Sequence, residues 1–288
     1  MARLPDFKRR SAQQRAALGP AGAARLLDAG RRWELGPVLA GGGAVLFPHA
    51  SIGVCGHQIA AAVHAVLDAG ARRVIALGVL HALTDALAEA RQRVAAGGDP
   101  AAEASWGIQG PGLAGREDWR AEFSLDHFGW LLAAECARRG CPEPARIERY
   151  PFLAGGAPER LPGFAALAAS AREAGTVIVA TGDLCHHGRG YGDGPETALA
   201  PEAGGLALAR RRIGEGMDLL ARGEHAAFQQ HCVTAKSDAR DVGQVLRALI
   251  GPCRWTLLDL IADDMSEPYE APAPTWVAGA LVALAPGP

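Results

Sequence analysis

The chain has 288 residues, 49% apolar and 21% charged, a composition that buries a large core and excludes both disorder and a small cross-linked scaffold. At about 150 residues per domain, this length admits one large α/β domain or two smaller ones. Its 29 basic and 31 acidic side chains leave a formal charge of −2, so no global field would hold a nucleic acid or an anionic membrane, and neither is expected as a partner.

The first 32 residues carry charges throughout and lack the apolar stretch of a secretory signal. The longest clean apolar run late in the chain, Val277 to Ala285, has nine residues, about half of what a membrane helix needs. Six cysteines (Cys55, Cys136, Cys141, Cys185, Cys232, Cys253) are scattered without a C-x-x-C pair and read as free thiols. A cytoplasmic location is expected. Lys8 and Lys236 are the only lysines, every other basic side chain being arginine.

An Arg-rich, helical start over residues 1–40 is expected to pack on the main body as an extension. Gly41-Gly42-Gly43 then opens a short strand, Ala44 to Phe47, which ends at Pro48-His49. A glycine-punctuated loop, Ser51 to Gly56, precedes a helix predicted from His57 to Ala69. There Ile59, Val63, Val66 and Leu67 share one face and Gly70 provides the cap. Arg73 to Leu77 is an apolar, β-branched run of strand length, closed by Gly78 and followed by His81. Strand, helix, strand in this order predicts a βαβ unit in a buried parallel sheet.

A turn-rich stretch, Gly97 to Arg116, leads to Ser124, read as the N-cap of a helix with Phe128, Leu131, Leu132 and Cys136 on its apolar face and Gly140 at its end. A helix from Phe164 to Ala174 passes through Gly175 into the strand Thr176 to Thr181, which empties into Gly182-Asp183-Leu184-Cys185-His186-His187-Gly188. Helices around Leu206 to Ala221 and Val242 to Ile250 follow, then strands near Trp255 to Ile261 and Trp276 to Leu284. No repeat or linker interrupts the pattern. It predicts a single three-layer α/β domain over residues 1–288, with a mixed, mostly parallel central sheet and helices on both faces.

Ligands of open α/β sheets bind beyond the carboxyl ends of the parallel strands. Three predicted strands deliver chemistry to that edge: the first leads into His49, the second into His81, and the third into Asp183 and His186-His187. Neutral imidazoles with a carboxylate suit Fe(II), Zn or Cu, and two histidines with one carboxylate leave open positions for substrate and O₂ on non-heme iron. His186 has a second use as a general acid/base whose tautomer the Asp183 carboxylate would fix. His187 points away from His186 on either backbone period. His57 and His64 read as structural, His127 as a pocket rim residue, and His225 and His231 as solvated. The glycine runs at 41–43 and 110–115 lack phosphate-loop spacing, and neither Ser51 nor Ser124 sits in a G-x-S-x-G elbow.

These residues resemble the Memo-like family, which shares its fold with the class III extradiol ring-cleaving dioxygenases. The family's strand into Pro-His-Ala, its small-residue-Gly pair and its Gly-x-x-His resemble Phe47-Pro48-His49-Ala50, Cys55-Gly56 and Gly78-Val79-Leu80-His81. Its Glu-His-Ser-Leu-Glu and Ser-Ser-Asp-x-x-His-x-Gly segments resemble Glu122-Phe123-Ser124-Leu125-Asp126 and the stretch from Thr181 to Gly188. The likeness runs over residues 40–285.

What this resemblance implies is a metal pocket with His49 and His81 as ligands and with Asp183 and His186 lining the same cavity. The Memo-like third ligand is a cysteine in a Cys-Gly-Arg segment before a helix. Here that segment resembles Ser237-Asp238-Ala239-Arg240, so Asp238 stands in the place of the thiolate and Asp241 is the fallback. A thiolate favours Cu(I) or Zn, whereas His, His and Asp approach the iron triad. Phe123 stands where the family commonly has histidine, and Glu122 is a supporting residue. The expectation is therefore an iron(II) oxidoreductase of dioxygenase type, with Cu or Zn as alternative ions, acting on a small catechol-like or other oxidisable molecule. A metal- or partner-binding protein without turnover is the alternative, and hydrolysis by a Zn-held hydroxide uses the same ligands.

Overall fold

The computed structural model describes residues 6–113 and 119–287; the end of the expected turn-rich stretch, from 114 to 116, lies outside them. In chain order the main elements are α1 (Phe7–Gly30), α2 (Gly36–Ala40), β1 (Ala44–Phe47), α3 (Ile52–Asp68), β2 (Arg73–Leu77), α4 (Asp85–Ala95), β3 (Gly107–Gln109), α5 (Asp126–Arg139), β4 (Ala145–Phe152), α6 (Phe164–Ala171), β5 (Thr176–Thr181), β6 (His186–Gly188), α7 (Gly205–Ala221), α8 (His225–Ala235), α9 (Arg240–Ile250), β7 (Cys253–Asp264) and β8 (Thr275–Pro286). Strands β4, β2, β5 and β1 are adjacent and parallel. β3 pairs antiparallel with β4. On the other side β8 pairs antiparallel with β1, β6 and β7. The order is β3-β4-β2-β5-β1-β8-β6, with β7 on the remaining flank of β8.

Strand alternation sends successive side chains to opposite faces. Val45, Phe47, Val74, Ala76, Val177 and Val179 enter a core shared with Leu27 of α1, Leu39 of α2, Ile59 of α3 and Phe128 of α5. Ala44, Leu46, Ile75, Leu77, Ile178 and Ala180 enter a second core with Phe164 of α6, Ile213 of α7, Phe228 of α8 and Val245 of α9. The protein is thus the three-layer α/β architecture that the strand-helix alternation predicts, mixed at its flanks and parallel at its centre. Among the described residues no helix is long and apolar enough to cross a membrane.

Four local expectations are corrected. Helix α3 starts at Ile52, with the Ser51 carbonyl accepting from the amides of Val54 and Cys55; packing of the first turn outweighs the helix cost of Gly53 and Gly56. Ser124 is not an N-cap: its hydroxyl donates to the Val79 carbonyl at 3.0 Å, and α5 begins at Asp126. The segment holding His225 and His231 is helix α8, in which His231 is half-buried with Nε2 at 2.7 Å from the Arg212 carbonyl. Helix α4 and strands β3 and β4 were not foreseen. Gly140 does end α5 in the left-handed conformation (φ 63°).

The N-terminal extension is broken at Gly19-Pro20, where Gly19 leaves helical geometry. Its second half packs Ala23 and Leu27 into the first core. Its first half reaches the carboxyl edge of the sheet, where the Lys8 ammonium donates to the Glu122 carbonyl at 2.7 Å and pairs with Asp126 at 2.7 Å.

Candidate metal centre

Parallel pairing aligns Phe47 with Thr181 and Leu77 with Ala180, so the three neighbouring strands β2, β5 and β1 end at one level. His49 follows β1 by two residues and Asp183 follows β5 by two. The His49 amide donates to Asp183 Oδ1 at 3.2 Å and welds these two ends together. His81 returns to the same place after a turn that Gly78 permits: a Cβ there would lie 2.3 Å from the ring of Tyr150.

Asp238 arrives from the turn between α8 and α9. Its amide donates to the Asp183 carbonyl at 3.2 Å, and its Oδ1 accepts from the Asp183 amide at 2.7 Å. Gly182 makes the approach feasible, because a Cβ at that position would meet Cβ of Ala239 at 2.6 Å. Asp238 Oδ2 then lies 3.1 Å from His49 Nε2 and 3.8 Å from His81 Nε2. The three ligand atoms of His49, His81 and Asp238 fall within 4.8 Å of one another, and so do those of Asp183, His186 and Asp238. Asp241, the fallback, faces elsewhere: it accepts from the Ala154 amide and pairs with Arg91 at 2.9 Å.

The tautomers follow from the partners of Nδ1. His81 Nδ1 is 3.1 Å from the Val79 carbonyl and His186 Nδ1 is 2.5 Å from the Lys236 carbonyl. A carbonyl has no proton to give, so both Nδ1 atoms carry the hydrogen. His49 Nδ1 lies 3.2 Å from Thr181 Oγ1, whose own proton goes to the Phe47 carbonyl at 3.0 Å; here too Nδ1 donates. Each of the three imidazoles, in the neutral form that an ion would bind, thus presents its Nε2 lone pair, and an oxygen acceptor behind each ring is the arrangement typical of metal-binding histidines. These residues fit a divalent transition ion. The expected Asp183–His186 pairing is replaced by the Lys236 carbonyl, which orients His186, while Asp183 holds the His49 amide.

Glu122 is buried and accepts four amides: His81 and Ala82 on Oε2, Phe123 and Ser124 on Oε1. Burial raises its pKa, but the hydrogen bond and charge of His81 and the amide donors prevail and hold it at about 2. In the metal-free protein, burial works to discharge His49, and the Asp183 and Asp238 carboxylates overcome it, lifting the imidazole to about 9. The two carboxylates split: burial and the Asp238 charge push Asp183 up, whereas His49 outweighs burial at Asp238 and keeps it low. A cluster with this surplus of carboxylate charge is electrostatically suited to a cation.

Aromatic rings wall the cleft. Phe123 lies 4.6 Å from His81 and 6.1 Å from His49 between ring centroids, and Phe7 stacks on Phe123 at 5.8 Å. Tyr269 contacts Phe7 at 5.5 Å, and Tyr191 stands between Tyr269 (5.2 Å) and His186 (4.8 Å). Sequence reasoning missed Phe7, Tyr191 and Tyr269. Their signal was faint, namely that the chain has three tyrosines in all. Three further histidines are held by structural partners. His57 bonds Asp259 at 2.8 Å, His64 bonds the Leu27 carbonyl at 2.7 Å, and His187 is buried between Asp193 and the Leu199 amide. His127 does not rim the pocket but is buried behind it against Arg15. No protein-family model matches the chain, and no curated protein matches it.

Proposed function

We propose that this chain holds a divalent transition ion between His49, His81 and Asp238 and works as a metal-dependent oxidoreductase of the extradiol type on a small catechol-like molecule. The observation that carries the reading is the ring orientation: the Nδ1 atoms of His49 and His81 are committed to Thr181 and Val79, so both Nε2 atoms turn toward Asp238 Oδ2, and an ion bound there would take the place of the proton that His49 Nε2 shares with Asp238. Two imidazoles and one carboxylate favour Fe(II), with Zn or Cu as alternatives, and such an ion supplies Lewis acidity and open positions for substrate and O₂.

The chain's own residues do the rest. His186, with Nδ1–H held by the Lys236 carbonyl, has Nε2 available to take a proton from a substrate hydroxyl and return it to the product. Asp183 keeps the His49 backbone in register, and Glu122 clamps the turn that carries His81. Phe123, Phe7 and the two tyrosines exclude water from the walls.

Anaerobic titration of the purified protein with Fe(II), followed by O₂ uptake over a panel of catechols, tests the proposal. Binding of Fe(II) and substrate-dependent O₂ consumption are expected. Failure to bind any divalent ion overturns the reading. Tight metal binding with full retention of O₂ replaces it with a metal- or partner-binding role without turnover.

A further inference from the structure

We propose that Tyr191 and Tyr269 are the hydroxyl donors that grip an oxygen substituent of the substrate in this cleft, opposite the Phe123 wall. The inference deepens the oxidoreductase reading and rests on it. Of the three tyrosines, Tyr150 is spent on structure, its hydroxyl donating to Glu148 at 3.2 Å. The other two come from elements that supply no metal ligand. Tyr191 closes the single 3₁₀ turn after β6, and Tyr269 lies in the connection between β7 and β8.

Two independent observations point the hydroxyls at a ligand. First, the rings are locked in the wall, Tyr191 against His186 at 4.8 Å and Tyr269 against Tyr191 at 5.2 Å and Phe7 at 5.5 Å. Fixed rings give fixed hydroxyl directions. Second, the Tyr191 hydroxyl is buried and the polar group it meets is the Tyr269 hydroxyl. Two phenols that meet use one proton between them, so the pair keeps one to donate, and a buried donor left without an acceptor costs about 1–3 kcal/mol.

The neighbourhood also settles what the phenols are for. Burial, their mutual contact and the charges of Asp183 and Asp238 raise the Tyr191 pKa. Burial and the same two carboxylates raise that of Tyr269. A phenol that keeps its proton is a donor rather than an anionic metal ligand. Its natural partner is an electron-rich oxygen, such as the phenolate of a chelating catechol. That places a donor on one side of the bound oxygen and the His186 base beside it, so the pair selects for a hydroxylated ring over a bare one of the same shape.

Tyr191→Phe, Tyr269→Phe and, as a control outside the cleft, Tyr150→Phe are loaded anaerobically with Fe(II) and titrated with 4-nitrocatechol, whose spectrum reports its ionisation state. Fe(II) uptake equal to wild type is expected in all three. The probe's Kd should rise about 10-fold in Tyr191→Phe, the loss of one hydrogen bond to a charged oxygen. It should rise several-fold in Tyr269→Phe, with a shifted bound-probe spectrum in both and no change in the control. Unchanged probe affinity and spectrum in both cleft variants overturn the assignment and leave the proposed function standing. Loss of Fe(II) uptake in a cleft variant that melts like wild type overturns it as well, by making that tyrosine a ligand. A wild-type protein that takes Fe(II) and no catechol overturns both readings together.

Discussion

Asp183 and Asp238 exchange two hydrogen bonds: the Asp183 amide donates to the Asp238 carboxylate at Oδ1, 2.7 Å, and the Asp238 amide donates to the Asp183 carbonyl at 3.2 Å. A strand end and a helix-helix turn are thereby fixed to each other, and Asp238 Oδ2 is left to face two imidazoles. Asp238→Asn keeps an oxygen for the Asp183 amide and removes the charge. Asp238→Ala removes both. Divalent-ion affinity is expected to fall in each variant; both lose the charge that faces His49, and the alanine variant should be less stable than the asparagine variant without metal by about 1–3 kcal/mol, the penalty of an unsatisfied buried amide. Metal titration and urea unfolding separate the two effects. Tight binding by Asp238→Ala would relocate the third ligand.

Thr181 acts on the centre through His49. Its hydroxyl is the acceptor for Nδ1–H and passes its own proton to the Phe47 carbonyl. Thr181→Val preserves shape and deletes the relay, so the expected result is about 10-fold weaker metal binding, at the lower end of supporting-shell effects. Thr181→Ser should restore most of it. Equal affinities in all three proteins would show that the tautomer of His49 does not depend on this hydroxyl.

The parts of the fold legible in the sequence were those in which local pattern and tertiary role agree. β1, β2 and β5 are apolar runs because both faces of a central parallel strand are covered, and their ends could be read to the residue. β4 was hidden because Arg146, Glu148 and Arg149 interrupt its apolar run and Pro151 sits near its end; it has β2 along one side and only the three residues of β3 along the other. Helix α4 buries Leu87 and Ala90 alone, too little for a visible stripe. At the site, His49, His81 and Asp183 could be foreseen from strand ends, and Asp238 came only through the family resemblance. The aromatic wall could not be foreseen, since Phe7, Tyr191 and Tyr269 come from three separate segments that only the fold unites.

Gly182 tests how closely α9 must approach the sheet. A methyl group at this position would lie 2.6 Å from Cβ of Ala239 and 3.1 Å from its Cα, and neither belongs to a flexible side chain. Gly182→Ala is therefore expected to push the α8–α9 turn outward, costing about 1–3 kcal/mol as overpacking does, and to weaken metal binding by displacing Asp238. A thermal melt with a parallel metal titration checks both. Wild-type affinity in a destabilised variant would mean that the turn moves without carrying Asp238 away.

His127 gives the fold an acid sensitivity of definite sign. It is buried in the first turn of α5 with Nδ1 3.4 Å from Arg15 Nη1, and burial, then the charges of Arg15 and His49, lower its pKa to about 3. In the unfolded chain an imidazole titrates near 6.5. Between these values the unfolded state binds a proton that the folded state refuses, so stability falls as pH falls below about 6.5, by about 1.4 kcal/mol per unit. Above neutral pH this histidine contributes no slope. His127→Gln retains an acceptor for Arg15 and cannot titrate. Urea unfolding at pH 7 and pH 5 should show the wild-type protein losing about 2 kcal/mol more than the variant over that interval. Parallel losses in the two proteins would show that His127 accepts its proton within the fold.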